Sequence, residues 1–455
     1  MTSKIKRLSS LACFFLAGTL AASANAETIN IRLHGSNTLG SKLGPSLLEA
    51  FARKQGFTDV ERSETAALEF RVSGRRSDGT EFLGVVEAHG TNTGYADLVS
   101  GAADIWMASR GATPEEVAGA QAIGNVHSPQ QEHVVALDGL AIIVHPENPI
   151  AQLSVDQIRG AFSGRISDWS QLGGKPGSIK LYGRDDKSGT YDSFKSMVLD
   201  GGTTLSPNTS RFESSGDLEK SVAQDPSALG FVGFSYVVGS KALAVMANGT
   251  LPLRPDALGI STEDYLLARR LYFYTAAKPT PAVTEFVEFV QGVDGQGVVA
   301  ATGFVAQNIF VTQTEPSPGN PDVYYEVIGD ARRISMNFRF RPASSTLDSR
   351  ALRDIDRLSQ FMHLPENRQK EVRLAAFAPP ASSKVPLMTL LTLNDRVDHI
   401  SQLLSTRGVR VSMSRSFVDG LFIAPLDRPD GMVRNQRVEV WLIDPHTGIS
   451  GDQRL

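Results

Sequence analysis

From about Glu27 to Thr312, short apolar runs alternate with stretches in which apolar positions recur every three to four residues. Thr28 to Leu33, Ala136 to Val144, Ile179 to Tyr182, Leu229 to Phe234 and Leu271 to Thr275 predict strands. Lys42 to Gln55, Ala96 to Ala102, Val155 to Phe162, Ser193 to Val198 and Ala282 to Gln291 predict helices. Strands alternating with helices predict an α/β architecture with mostly parallel sheets. In such sheets ligands bind beyond the carboxyl ends of the strands.

The pattern then stops. Thr312-Gln313-Thr314-Glu315-Pro316-Ser317-Pro318-Gly319-Asn320-Pro321 is polar and rich in proline, so residues 313–322 read as a linker. Residues 323–445 predict a second, smaller α+β domain, with a strand over Ile334 to Phe340, helices over Leu347 to Met362 and Leu393 to Thr406, and a final strand over Arg437 to Ile443. Residues 446–455 form a tail.

Residues 1–26 carry the pattern of a cleavable export signal. Lys4, Lys6 and Arg7 precede an apolar run from Leu11 to Leu20 that is too short to span a bilayer, and Ala24-Asn25-Ala26 offers a small-x-small cleavage site. The only cysteine, Cys13, falls inside this segment, so the mature chain is expected to hold no disulfide, thiolate metal site or thiol nucleophile. A formal net charge of −4 argues against a nucleic-acid binder. Any bound anion must therefore be held by a local site.

Gly183-Arg184-Asp185-Asp186-Lys187-Ser188-Gly189-Thr190 follows a strand candidate and precedes a helical pattern. Such a turn aims backbone N–H groups and the helix dipole at one point, which suits an anion. Ser188 and Thr190 add hydroxyls, Gly189 allows close approach, and Arg184 could clamp an oxyanion bidentately. The same residues would also serve as a plain helix cap. Gly35-Ser36-Asn37-Thr38-Leu39-Gly40 and Gly90-Thr91-Asn92-Thr93-Gly94 share this logic. The glycine spacing fits neither a dinucleotide fingerprint nor a P-loop.

Residues 27–312 resemble the periplasmic phosphate-binding proteins that feed ABC transporters. The likeness is carried by the segment from Leu153 to Gly174, by Asp225-Pro226-Ser227-Ala228-Leu229-Gly230-Phe231-Val232-Gly233, and by Ala102-Ala103-Asp104-Ile105-Trp106-Met107-Ala108-Ser109-Arg110. It implies a type II-like binding protein of two α/β lobes joined by crossing strands that close on the ligand. It also implies ligand contacts at Thr38, Leu39, Thr91, Arg184, Ser188, Gly189 and Thr190, with Ser36 and Arg110 as further candidates. The family's acceptor Asp, which takes the proton of hydrogen phosphate, is replaced by Arg110; Asp138 is a candidate substitute.

The second domain resembles OmpA-like domains in Phe338-Arg339-Phe340, Leu393-Asn394-Asp395-Arg396-Val397, Gly408-Val409 and Asn435-Gln436-Arg437-Val438-Glu439-Val440. That likeness implies attachment to peptidoglycan, with Arg396 as the gripping residue. The matching Asp is missing, since no carboxylate occurs from Val372 to Asn394.

These readings together predict a periplasmic receptor for inorganic phosphate or a similar oxyanion, working with an ABC transporter permease or as a sensor, and associated with the cell wall or outer membrane. No enzyme activity, cofactor or metal is expected. Two alternatives stand beside it: an envelope scaffold with a vestigial oxyanion site, and a phosphomonoester hydrolase using His34 and His89, which precede two of the loops.

Overall fold

The computed structural model describes residues 28–186, 188–199, 202–314, 320–341, 344–379, 386–418, 422–426 and 431–445. The expected export signal over 1–26, the middle of the expected linker and the tail over 446–455 lie outside the described residues.

The chain begins with β1 (Thr28–Gly35), α1 (Asn37–Gly40) and α2 (Leu43–Lys54), then an antiparallel ribbon of β2 (Thr58–Ala66), β3 (Glu69–Arg75) and β4 (Glu81–Glu87). Next come α3 (Thr91–Ser100), β5 (Ile105–Ala108), α4 (Pro114–Gly119) and the long strand β6 (Glu132–Val144). β6 carries the chain out of the first lobe. The second lobe holds β7 (Gln152–Ser154), α5 (Val155–Phe162), β8 (Lys180–Arg184), α6 (Gly189–Met197), β9 (Ser210–Phe212), α7 (Ser215–Gln224), β10 (Ala228–Gly233), β11 (Lys241–Ala242), β12 (Ala244–Met246) and α8 (Ala257–Ser261). β13 (Ala268–Thr275) returns antiparallel to β6, and α9 (Pro281–Gln291) and α10 (Val293–Ala301) complete the first lobe.

The main sheet runs β2-β3-β4-β1-β5-β13-β6-β10-β8-β9, with β11 paired to β6. It is mixed, which corrects the expectation of mostly parallel sheets. β1 is parallel to β4 and β5, and β8 to β9 and β10, whereas every contact of the crossing strands β6 and β13 is antiparallel. The physical reason is topological, because a strand that leaves a lobe and one that comes back must run in opposite senses. The ribbon β2–β3 escaped the apolar pattern because it lies at the sheet edge, where β2 is exposed along nearly its whole length and charged residues blunt the edge.

Each lobe has its own core. Leu33, Leu47, Phe51, Ile105, Phe273 and Phe286 pack in the first, and Ile142, Ile158, Phe162, Phe194, Phe231 and Tyr265 in the second. The Leu153–Gly174 stretch is built from caps. Ser154 and Gln157 form a reciprocal capping box on α5, and Asp168 caps the turn at Trp169–Leu172.

The C-terminal part adds β14 (Val311–Thr312), α11 (Asp322–Ile328), β15 (Arg332–Arg339), α12 (Ser349–Met362), β16 (Glu371–Phe377), α13 (Pro386–Ser405), β17 (Val411–Phe417), α14 (Gly431–Asn435) and β18 (Arg437–Ile443). Its sheet runs β14-β15-β18-β16-β17, and Leu358, Leu374, Ile400 and Val440 fill a separate core. Among the described residues no helix is long and apolar enough to cross a membrane.

This domain is bound to the two lobes largely through buried ions. Glu263, just beyond α8, takes Arg270 Nε on both carboxylate oxygens at 2.9 Å, and it also pairs with Arg350 and Arg339 of the C-terminal domain. Arg270 bonds Asp348 at 2.8 Å. Arg434 donates to the carbonyls of Tyr265 and Leu266 at 2.8 and 2.9 Å. On the first lobe, Arg353 donates to His133 Nδ1 at 3.0 Å and Arg357 to Gln307 at 3.1 Å, while Ser349 meets Glu132 and Arg341 meets the His127 carbonyl.

Burial alone would raise the Glu263 carboxyl, but Arg270, Arg350 and Arg339 outweigh it and hold it at about 2. Burial, reinforced by Arg353, pushes the His133 imidazole down to about 3. Glu263→Gln should therefore cost ~3–5 kcal/mol of stability in urea unfolding, because buried guanidinium groups lose their common partner. Acid should weaken the fold in two overlapping steps. His133 must stay neutral, so stability falls as pH drops from 6.5 towards about 3. The Glu263 contribution is complete above 4.5 and is lost as pH falls towards about 2. In a pH series of unfolding midpoints, His133→Asn should flatten the part above pH 4.5.

Candidate anion-binding site

Where the lobes meet, α1 of the first touches the start of α6 in the second. Thr38 donates its hydroxyl to the Gly189 carbonyl at 3.2 Å, so the lobes are closed on each other. The contact explains the glycine: a Cβ at Gly189 would collide with the Thr38 backbone and side chain. Ser188 caps α6, accepting the Tyr191 N–H at 3.4 Å.

The crossing strands supply the charged floor of this junction. Asp138 on β6 and Arg269 on β13 are direct cross-strand partners. Arg269 Nε donates to Asp138 Oδ2 at 3.2 Å, and its Nη2 reaches Thr38 Oγ1 at 3.0 Å and the Gly189 carbonyl at 3.3 Å. Ser193 Oγ lies 3.4 Å from the same Asp138 oxygen. The Arg269 and Asp138 side chains are only 11% and 14% exposed, so their charges act in a medium that screens weakly. One guanidinium thus touches both lobes at their point of contact.

Above this junction opens a cleft of about 810 Å³, lined by Thr38, Asp138, Arg184, Ser188, Gly189 and Thr190 among others. Lys42, Arg184 and Arg211 face it, as do Glu64, Asp185, Asp186 and Glu213. Its rim carries no surplus of positive charge, and Arg269 lies at the lobe contact without being among the residues that line it.

The remaining expected residues sit elsewhere or are engaged. Arg184 borders the cleft, but its guanidinium bonds the carbonyls of Phe212 and Glu213 at 3.1 and 2.6 Å and the Ser215 hydroxyl. Burial lowers its pKa from the usual value. Leu39 is wholly buried in the first-lobe core. Ser36 Oγ and Asn37 Oδ1 are buried beside it without a partner among the described residues. Thr91 faces Ser109, taking its N–H at 3.3 Å, and lies outside the cleft lining. Arg110 is held by Glu116 through two bonds of 2.7 Å and by Asn92 at 2.7 Å.

Arg269 is the residue that sequence reasoning missed. It lies two positions before the strand expected at Leu271, and period-two alternation carried back from Leu271 would have set it on the opposite face from Arg270.

His34 and His89 do not meet at the cleft. His34 Nδ1 is 2.9 Å from Asp97 and 3.6 Å from Glu87, and His89 pairs with Glu69 at 3.1 Å. Among the described residues, His34, Glu87 and Asp97 are the one group whose donor atoms all lie within 4.8 Å, as a cation would require. In the C-terminal domain, Arg396 is buried, donates to Gln436 at 2.9 Å and to the Ser344 carbonyl, and stacks on Phe340 at 4.6 Å.

Two lobes joined by crossing strands, with a polar junction between them, define a binding protein of the hinged, two-lobed class. The chain belongs to the PBP superfamily, whose domain matches residues 21–293, and this part is a PstS-like phosphate-binding-protein domain. It is 30% identical over 221 residues to the phosphate-binding protein PstS of Bacillus subtilis, covering 48% of this chain and 70% of that protein. To the phosphate-binding protein PstS of Borreliella burgdorferi it is 27% identical over 230 residues, covering 48% and 78%. The fold resembles the crystal structure of a possible phosphate binding protein from Planctomyces limnophilus, with a TM-score of 0.50, 22% identity, and coverage of 62% of this chain and 94% of that one.

Gly189→Ala should push α1 and α6 apart. Where inorganic phosphate binds, calorimetric titration is expected to show a dissociation constant at least tenfold larger, ~1.4 kcal/mol.

Proposed function

We propose that this chain binds phosphate, or a tetrahedral oxyanion of the same chemistry, between its two lobes, and that it acts as the extracytoplasmic receptor of an ABC-type uptake or sensing system. The observation that carries the reading is the Arg269 guanidinium at the contact of Thr38 and Gly189, a cation held where two hydroxyl-bearing elements from opposite lobes converge. An oxyanion entering there would take Arg269, the hydroxyls of Thr38, Ser188 and Thr190, and the first-turn N–H groups of α6, where the helix dipole favours negative charge. The names of the curated relatives support phosphate as the ligand. Arg184 would have to turn from the Phe212–Ser215 loop to clamp the anion, so its role is the second cation and Arg269 is the first.

Asp138 gives the site a means of selection. A carboxylate beside the anion repels one that is fully ionised, but it accepts a hydrogen bond from one that still carries a proton. Phosphate keeps such a proton at neutral pH and sulfate does not. The Arg110 guanidinium has only donors and is paired with Glu116, so Asp138 takes the acceptor role in this reading.

A periplasmic location is supported by the export pattern in residues 1–26. For the C-terminal domain, attachment to the envelope remains part of the proposal. Peptidoglycan capture through Arg396 gains no support from its geometry, since that guanidinium is buried against Phe340.

Isothermal titration of the anion-stripped chain with phosphate, sulfate, arsenate and molybdate tests the reading. Phosphate and arsenate should bind and sulfate should not. Arg269→Ala should weaken phosphate by tenfold or more, in line with ~1.5–3 kcal/mol for a charged hydrogen bond. Asp138→Asn should raise sulfate affinity relative to phosphate. Failure of all four anions to bind the parent chain would overturn the receptor reading.

A further inference from the structure

The C-terminal domain makes side-chain contacts of its own to the two lobes. It grips both lobes at once, on the face of the crossing strands that lies away from the cleft. Arg341, Ser349 and Arg353 hold the first lobe at His127, Glu132 and His133, close to where β6 begins. Arg339, Arg350 and Arg434 hold the second lobe at Thr262, Glu263 and Leu266, just before β13 begins. Ala424 is buried among the residues of the second-lobe core, and the Leu251 N–H of that lobe bonds the Phe422 carbonyl at 3.3 Å. The two sets of contacts therefore lie on opposite sides of the segment through which the lobes must bend.

From this we infer that the C-terminal domain is a brace across the hinge, which holds the lobes in the closed arrangement seen at Thr38 and Gly189. Opening the cleft changes the separation of the two gripped surfaces, and one rigid domain cannot follow both. Its arginines bond backbone carbonyls and buried carboxylates, groups that are costly to expose without partners. Lobe opening and release of the domain from one lobe are accordingly a single coupled event. By reciprocity, an anion that draws the lobes together strengthens docking of the domain, and a partner that pulls the domain away promotes release of the anion. The second half of that statement rests on the proposed receptor function, whereas the brace itself does not.

The test uses the full chain with cysteines introduced at exposed positions on the two lobes, Thr284→Cys and Lys220→Cys, and with Cys13→Ser so that only these are spin-labelled. Inter-lobe distances are read by pulsed dipolar spectroscopy with and without inorganic phosphate. The braced parent should give one narrow distribution that phosphate barely shifts. Arg341→Ala with Arg353→Ala should broaden the phosphate-free distribution and move it to a different mean. Where phosphate binds, the same pair should speed its dissociation by about fivefold or more. The pair leaves Ser349–Glu132 and Arg357–Gln307 in place, so it loosens the grip on the first lobe, and adding Arg357→Ala should shift the distribution further. If the pair does not fold, Arg341→Ala alone carries the comparison, since its side chain is only partly buried. A parent that swings between two distances on adding phosphate, or a folded variant whose distribution matches the parent, would overturn the brace. Because the distances without phosphate decide the matter, a chain that binds no phosphate at all still tests it.

Discussion

The structure turns on a single pair of neighbouring charges, Arg269 and Arg270, at the start of β13. Side chains in a strand alternate between faces, so the two guanidinium groups point in opposite directions from one short piece of backbone. A buried cation is tolerated only where it is paired and hydrogen-bonded. Arg269 meets that demand at the lobe junction, through Asp138, Thr38 and the Gly189 carbonyl. Arg270 meets it on the other face, through Glu263 and Asp348. The cleft and the domain interface are in this sense two sides of the same strand.

That arrangement explains why the C-terminal domain is attached by arginines. An ion network of this kind contributes little net stability over apolar packing, yet losing one member leaves uncompensated charge. Glu263 is the most exposed to this risk in energetic terms, since Arg270, Arg339 and Arg350 all depend on it. What such a network provides is geometric definition. Each guanidinium fork fixes an orientation, and contacts on both lobes then fix the domain across the hinge. His133, kept neutral beside Arg353, belongs to the same surface.

Much of the fold is legible in the amino-acid pattern. The helix expected over Val155–Phe162 matches residue for residue, because its capping box and apolar spacing are local signals. The strands β1, β8 and β10 follow from apolar runs that burial demands in any parallel or mixed sheet core. Ser188, Gly189 and Thr190 stand out by turn and cap chemistry, and they do border the cleft. The ribbon β2–β3 is not legible, since an exposed edge strand needs no apolar alternation.

The sequence by itself determined the α/β elements, the second α+β domain and a hydroxyl-rich loop ahead of α6, because propensity, periodicity and capping act over a few residues. It could not determine where the arginines go. Arg184, Arg110 and Arg396 read as free anion-binding or ligand-gripping cations, but each is claimed by carbonyls or carboxylates brought near by the fold. Arg269, which has no motif around it, is instead carried to the junction by its register against Asp138, 131 residues away. A long cation can satisfy itself with any acceptor within its reach, so only the tertiary structure decided which of them meet at the lobe junction and which hold the domains together.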